Sequence, residues 1–134
     1  MVEFKSNKSI VNKGAEEVFN YLANPSNYEG LMPSNVRSFE ANAHGAKLNI
    51  QGIGDIELAF SNKLEFSLLE MKPQNQVPFE FDLQWHLVER DNTTEVQAII
   101  HAKLNFMMRM MAEKLLVDFL NVQVHKLSEQ MNND

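Results

Sequence analysis

The stretch PFEFDLQWHLVERDNTTEVQAIIHAKLN, residues 78–105, alternates between apolar and polar side chains almost without error. Phe79, Phe81, Leu83, Trp85 and Leu87 are apolar, and Glu80, Asp82, Gln84 and His86 between them are polar. A strand sends successive side chains to opposite faces, so a period of two marks a half-buried antiparallel strand. Asp91-Asn92 is a turn signal. Beyond it Val96, Ala98, Ile100, Ala102 and Leu104 take one face, and Gln97, His101 and Lys103 take the other. The pattern predicts a hairpin with one dry face, which must cover something.

Outward from the hairpin, the upstream segments VRSFEANA (36–43), AKLNIQG (46–52), IELAFS (56–61) and LEFSLLEM (64–71) also read as strands. Their expected connections are His44-Gly45, Gly52 to Asp55 and Asn62-Lys63, with KPQNQVP as a polar loop into the hairpin. Leu48 and Ile50, then Ile56, Leu58 and Phe60, then Leu64, Phe66 and Leu68 suit one buried face. At the start, VEFKSNKSIV puts Val2, Phe4 and Ile10 on one side, with Lys8 interrupting. In GAEEVFNYLANPSNYEGLMPSN (14–35), Glu16 and Glu17 occupy a first helical turn and Val18, Phe19, Tyr21 and Leu22 follow at helical spacing. Asn24-Pro25 ends that helix, and Ser26 or Asn27 is placed to cap a second short one that Pro33 stops.

From Phe106 to about Met131 the chain has neither glycine nor proline, and apolar residues recur at three and four: a long helix. Met108, Met111, Leu115, Phe119 and Val122 form one row, and Leu116, Leu120, Val124 and Leu127 a second. The element order is thus strand, two short helices, six strands and one long helix, an α+β arrangement with segregated helices. A curved antiparallel sheet around a straight helix tends to leave a hollow between them, which is the candidate site.

At 134 residues, 1–134 is expected to be a single domain with a substantial core. With 44% hydrophobic and 22% charged residues the composition is that of a packed globular protein rather than a disordered chain. The absence of cysteine excludes disulfides and thiolate chemistry and fits a reducing compartment. Residues 1–14 carry no apolar h-region, and no window approaches the roughly 18 apolar residues of a membrane span, so a cytoplasmic location without membrane integration is expected. A net charge of −6 argues against a nucleic-acid partner, which calls for clustered Lys and Arg, and leaves room for a buried apolar ligand.

The order of elements, the segment AEEVFNYLANPSNYEGLMP and a Met-rich helix after LN resemble the START-like helix-grip superfamily, also called SRPBCC or birch-pollen-allergen-like. Ala15, Val18, Phe19, Leu22, Asn24, Pro25, Leu31, Met32 and Pro33 carry the likeness, which spans essentially the whole chain. Gly54 and Ile56 opening one strand, and Pro78 and Phe79 opening the sixth, match members of unassigned function. The resemblance implies a seven-stranded sheet gripping the C-terminal helix around a hydrophobic cavity. It also implies one of three roles: carriage of lipids, sterols, quinones or polyketides; polyketide cyclisation; or assistance to a heat-shock ATPase. Fold follows from it more firmly than reaction.

Catalytic signals are sparse. His44, His86, His101 and His125 have no cysteine or spaced carboxylate to complete a metal pattern, and His86 and His101 fall on the polar faces of their strands. GIGDIE lacks the third glycine of a dinucleotide turn. No catalytic residue, metal or cofactor is expected. The leading reading is a binding protein, its partner a small apolar molecule, with a homodimer also allowed. The expected cavity lining from the sheet is Phe60, Phe66, Phe81, Leu83, Trp85 and Ile100, and from the long helix Met108, Met111, Leu115 and Phe119. Asn62 and Arg109 are the polar candidates, against the plainer readings of a turn residue and a surface ion-pair former. Met107, Met108, Met110 and Met111 fit either an adaptable pocket wall or ordinary core, and Trp85 poses the same choice. Two other readings stand beside binding: a polyketide cyclase, which requires ionisable groups inside the cavity, and an interaction module, which requires the Leu116–Leu127 row to be exposed.

Overall fold

The computed structural model describes residues 1–132. The elements are β1 (Val2–Lys5), β2 (Ser9–Val11), α1 (Ala15–Leu22), a 3-10 helix (Pro25–Leu31), β3 (Val36–Ala41), β4 (Gly45–Ile50), β5 (Gly54–Leu64), β6 (Leu68–Pro73), β7 (Phe81–Arg90), β8 (Thr93–Ala102) and α2 (Phe106–Asn132). The strands form one antiparallel sheet in the order β1-β8-β7-β6-β5-β4-β3, with β2 continuing β1 along β8. This is the predicted seven-strand arrangement, its first strand broken in two.

The β7–β8 hairpin is as the alternation predicts. Leu83, Trp85, Leu87, Val96, Ala98, Ile100 and Ala102 are buried. Trp85 lies opposite Ala98, so the largest side chain of the dry face faces one of the smallest. Asp91 and Asn92 make the turn with positive φ, a conformation their short polar side chains tolerate.

The first strand departs from expectation. Pairing with β8 slips by one residue between Lys5–Ile99 and Ser9–Val96, and a one-residue slip exchanges the two faces. Val11 is therefore buried, and Ile10, which simple alternation puts on the same side as Phe4, is half exposed. Buried Ser6 sits at the break, its hydroxyl accepting from Ala98 N at 2.9 Å and donating to Asn7 O at 2.8 Å.

The same device corrects the β5–β6 hairpin. A register shift between Phe60 and Asn62 reverses the phase, so β5 runs through the expected Asn62-Lys63 turn and ends at Leu64. Leu64 is exposed, and Leu69 and Met71, not Leu64 and Leu68, are the buried positions. The turn falls at Glu65 to Ser67, where Phe66 adopts φ 64°, an unfavourable conformation for a bulky residue. Its ring packs edge-on against Phe19 of α1, with centroids 5.7 Å apart, which offsets the strain.

Gly14 has no side chain to cap α1, and Glu89 of β7 does so instead, accepting from Ala15 N at 2.6 Å. The second short helix begins at Pro25 rather than after Ser26 or Asn27, because Asn24 is its cap and accepts from Ser26 N at 3.1 Å. Asn105 caps α2 by accepting from Met108 N at 2.9 Å. Along α2 the buried residues are Leu116, Phe119, Leu120, Gln123, Val124, Leu127 and Met131. The helix rests on β1, β2, β8 and the 3-10 helix. Lys126 Nζ donates to Met32 O at 2.7 Å and Gln130 Nε2 donates to Gly30 O at 2.7 Å, tying its last turns to the 3-10 segment.

On the outer face, His101 of β8 bridges three strands, with Nδ1 2.9 Å from Asp82 of β7 and Nε2 3.0 Å from Glu3 of β1. Burial alone would lower its pKa. The hydrogen bonds and charges of Asp82 and Glu3 outweigh it and hold the ring above its ordinary value of 6.5. A group whose pKa is raised on folding contributes stability that is complete below its unfolded value and lost as pH rises through the folded one. In thermal melts, the deficit of His101→Gln against the parent is therefore expected to be largest below about pH 6.5 and to close at higher pH. A constant deficit from pH 5 to 9 would contradict the bridge.

Candidate functional site

Because α2 leans over the β1–β2–β8 side, the concave face of β4, β5 and β6 is only partly filled. Two hollows lie there. One, of about 30 Å³, is bounded by Pro25, Tyr28, Met32, Phe39, Gly45, Ala46, Phe60, Met71 and Gln123. The other, also about 30 Å³, is bounded by Ile50, Ile53, Ile56, Phe79, Phe81, Ile100, Leu115 and Leu116. Leu48, Leu58, Leu83 and Phe119 line both and form the partition between them. Each hollow is a few times the ~10–15 Å³ that one water needs and far below the roughly 300–1,000 Å³ of an open ligand pocket.

The second hollow is walled by hydrocarbon alone. The first is not. Tyr28, on the 3-10 helix, and Gln123, on α2, line it while being 4% and 2% exposed. Among the described residues neither the Tyr28 hydroxyl nor Gln123 Oε1 has a partner in hydrogen-bond geometry, and the Trp85 indole N–H, although beside the Tyr28 hydroxyl, also lacks one. Buried polar atoms are nearly always paired, and each orphan costs about 1–3 kcal/mol, so two of them in one cavity wall call for an explanation. The Tyr28 and Trp85 rings meet edge-on with centroids 6.3 Å apart. Burial pushes the Tyr28 hydroxyl well above the ordinary tyrosine pKa, and the neighbouring indole N–H opposes this only in part, so the hydroxyl stays protonated and is a donor.

Of the residues singled out from sequence, Phe60, Phe81, Leu83, Ile100, Leu115 and Phe119 come together around the hollows. Trp85 is fully buried but stands behind Tyr28 rather than in either wall. Phe66 lies in the β5–β6 turn against Phe19. Met108 is half-buried and lines neither hollow, and Met111 is 82% exposed. Phe106, Met107 and Met110 are exposed beside it, so most of the Met cluster is neither pocket wall nor core. The reason is tertiary: the fully buried positions of α2 begin at Leu116, and before it only Met108, Ala112 and Leu115 are partly covered. Asn62 and Arg109 are exposed, away from both hollows. Tyr28 and Gln123 were not singled out. Gln123 had a legible signal, since it falls four residues after Phe119 and three after Leu120, a polar residue inside an apolar row. Tyr28, in a non-periodic segment, had none.

Among the described residues no group of three His, Asp or Glu side chains gathers to hold a metal ion, and no helix is long and apolar enough to cross a membrane.

No family model matches the chain, and no curated protein matches it. Solved structures do match. A point mutant of norcoclaurine synthase from Thalictrum flavum, in complex with a transition-state analogue, superposes with a TM-score of 0.78 at 10% identity, covering 98% of this chain and 94% of that one. A START superfamily protein from Mycobacterium smegmatis gives 0.69 at 15% identity over 98% and 97% of the two chains. The di-domain ARO/CYC BexL gives 0.66 at 13% identity, over 95% of this chain and 46% of that one. At such identities the likeness is one of fold. These neighbours are START/SRPBCC-type proteins, and the chain has their helix-grip fold, an antiparallel sheet packed around a long C-terminal helix.

Proposed function

We propose that the protein binds a small hydrophobic molecule, of lipid, quinone or polyketide-like character, between the sheet and α2. The observation that carries this reading is the partition. Leu48, Leu58, Leu83 and Phe119 line both hollows, so rotamer changes in that shared wall would merge them into one larger site. Affinity would come from desolvation, at about 25 cal/mol per Å² of apolar surface removed from water.

The cyclase reading finds less support. Among the described residues Tyr28 is the sole ionisable side chain lining either hollow, and burial holds it protonated, so neither described wall supplies a general base. The interaction-module reading loses its premise: Leu116, Leu120, Val124 and Leu127 are buried in the core rather than exposed.

Calorimetric titration with a panel of fatty alcohols, quinones and small aromatics tests the proposal. Saturable binding at one site per chain is expected. Phe119→Trp, which adds a ring's bulk to the partition, should weaken it about tenfold or more while the circular dichroism spectrum is retained. Binding that survives unchanged in a folded Phe119→Trp variant would move the site elsewhere.

A further inference from the structure

The polar atoms of the first hollow specify more than an apolar ligand. Among the described residues its wall holds two buried polar atoms without partners, the protonated Tyr28 hydroxyl, which donates, and Gln123 Oε1, which accepts. Neither hollow has, among the described residues, an Asp, Glu, Lys, Arg or His in its lining. An ionised head group would therefore be desolvated there without a countercharge, which is far costlier than burying a hydrogen-bonded neutral group. A single oxygen that accepts one hydrogen bond and donates another matches the pair, and the first hollow, at about 30 Å³, suits so compact a head.

We propose that the ligand is a neutral hydroxyl compound, a phenol or an apolar alcohol, whose O–H accepts from Tyr28 and donates to Gln123 while its hydrocarbon body occupies the merged hollows. The proposal rests on the binding reading above and deepens it. Trp85 extends the arrangement. Its unpartnered indole N–H lies near the Tyr28 oxygen, and a small adjustment on binding aligns indole N–H, tyrosine O–H, ligand O–H and glutamine carbonyl as one chain in which each bond strengthens the next. A site built to pair a hydroxyl discriminates against analogues lacking it, because its own buried groups are then left unsatisfied.

The test compares 2-naphthol, naphthalene and 2-naphthoate at pH 7 by calorimetry, with the emission of the single tryptophan, Trp85, as a second readout. 2-Naphthol is expected to bind about tenfold or more tighter than naphthalene, and 2-naphthoate at least tenfold weaker than 2-naphthol. In Tyr28→Phe and Gln123→Leu the ratio of naphthol to naphthalene affinity should fall toward one. Gln123→Leu should also raise the melting temperature of the unliganded protein, since it removes an orphan acceptor at similar volume. Equal affinities for 2-naphthol and naphthalene in the parent protein would overturn the head-group assignment and leave the binding reading intact. A Gln123→Leu variant that melts lower and leaves the ratio unchanged would mean that a trapped water serves these two groups, and would also overturn it. Failure of all three probes, together with the wider panel, would overturn the binding reading itself and this inference with it.

Discussion

Trp85→Ala is expected to lower the free energy of unfolding by about 3–5 kcal/mol, the range for deleting a large buried aromatic side chain. Trp85 is fully buried, sits opposite Ala98 across the β7–β8 ladder and meets the Tyr28 ring edge-on. Ala98 has nothing to extend into the space left behind, and the backbone pairing on both sides of β7 prevents collapse. For a domain of ordinary stability, about 5–15 kcal/mol, the variant would lie near the limit of folding. Tyr28 would lose its backing ring, so ligand affinity in the surviving folded fraction should fall as well. Trp85→Phe, which keeps an aromatic ring and removes an unpartnered N–H, should cost less than half as much. Guanidinium denaturation monitored by circular dichroism measures both, and a Trp85→Ala loss below about 1 kcal/mol would contradict the core described above.

Gly45→Ala is expected to cost about 2–4 kcal/mol for a single added methyl group. Gly45 opens β4 opposite Ala59 of β5, and its amide is held by Asn42 Oδ1 at 2.9 Å in the turn that joins β3 to β4. A Cβ there would overlap the Leu58 carbonyl group, which is backbone and cannot rotate away, so β4 and β5 would have to part. Gly30→Ala is the control. Its Cβ would meet the end of the Gln130 side chain, which can move by giving up its hydrogen bond to Gly30 O, and the loss should stay at about 1 kcal/mol. Similar melting temperatures for the two variants would contradict the close β4–β5 approach. Because Gly45 and Leu58 also line the first hollow, Gly45→Ala should weaken ligand binding in whatever fraction remains folded.

Legibility in the sequence followed regularity. The β7–β8 hairpin has no bulge over Phe81–Arg90 and Thr93–Ala102, so its inward face could be read residue by residue. The face misassigned at Leu64 and Leu68 lies beyond a one-residue slip after Phe60, and a like slip about Ser6 settles the face that Lys8 left open at Ile10. A bulge exchanges the faces without changing composition, and no turn residue at Ser61 announces it. The two rows on α2 have the same periodicity. Which one enters the core depends on which end of the helix rests on the sheet, and that is set by tertiary packing alone. The aromatic and aliphatic lining of the hollows was legible because hydrophobic phase and cavity lining coincide for Phe60, Phe81, Leu83, Ile100, Leu115 and Phe119. Of the polar lining, Gln123 alone carried a signal, as a polar residue four after Phe119 and three after Leu120. Asn62 and Arg109, the polar candidates in the sequence, lie at the surface.

Ligand carriage between sheet and helix is tested most directly by native mass spectrometry of freshly purified protein, repeated after incubation with the lipid, quinone and phenol panel and followed by organic extraction. The account predicts a one-to-one apolar adduct, present on purification or acquired from the panel, lost in Phe119→Trp and carrying a hydroxyl group. A mass that stays that of the bare chain throughout, with no shift in melting temperature for any compound, would contradict it.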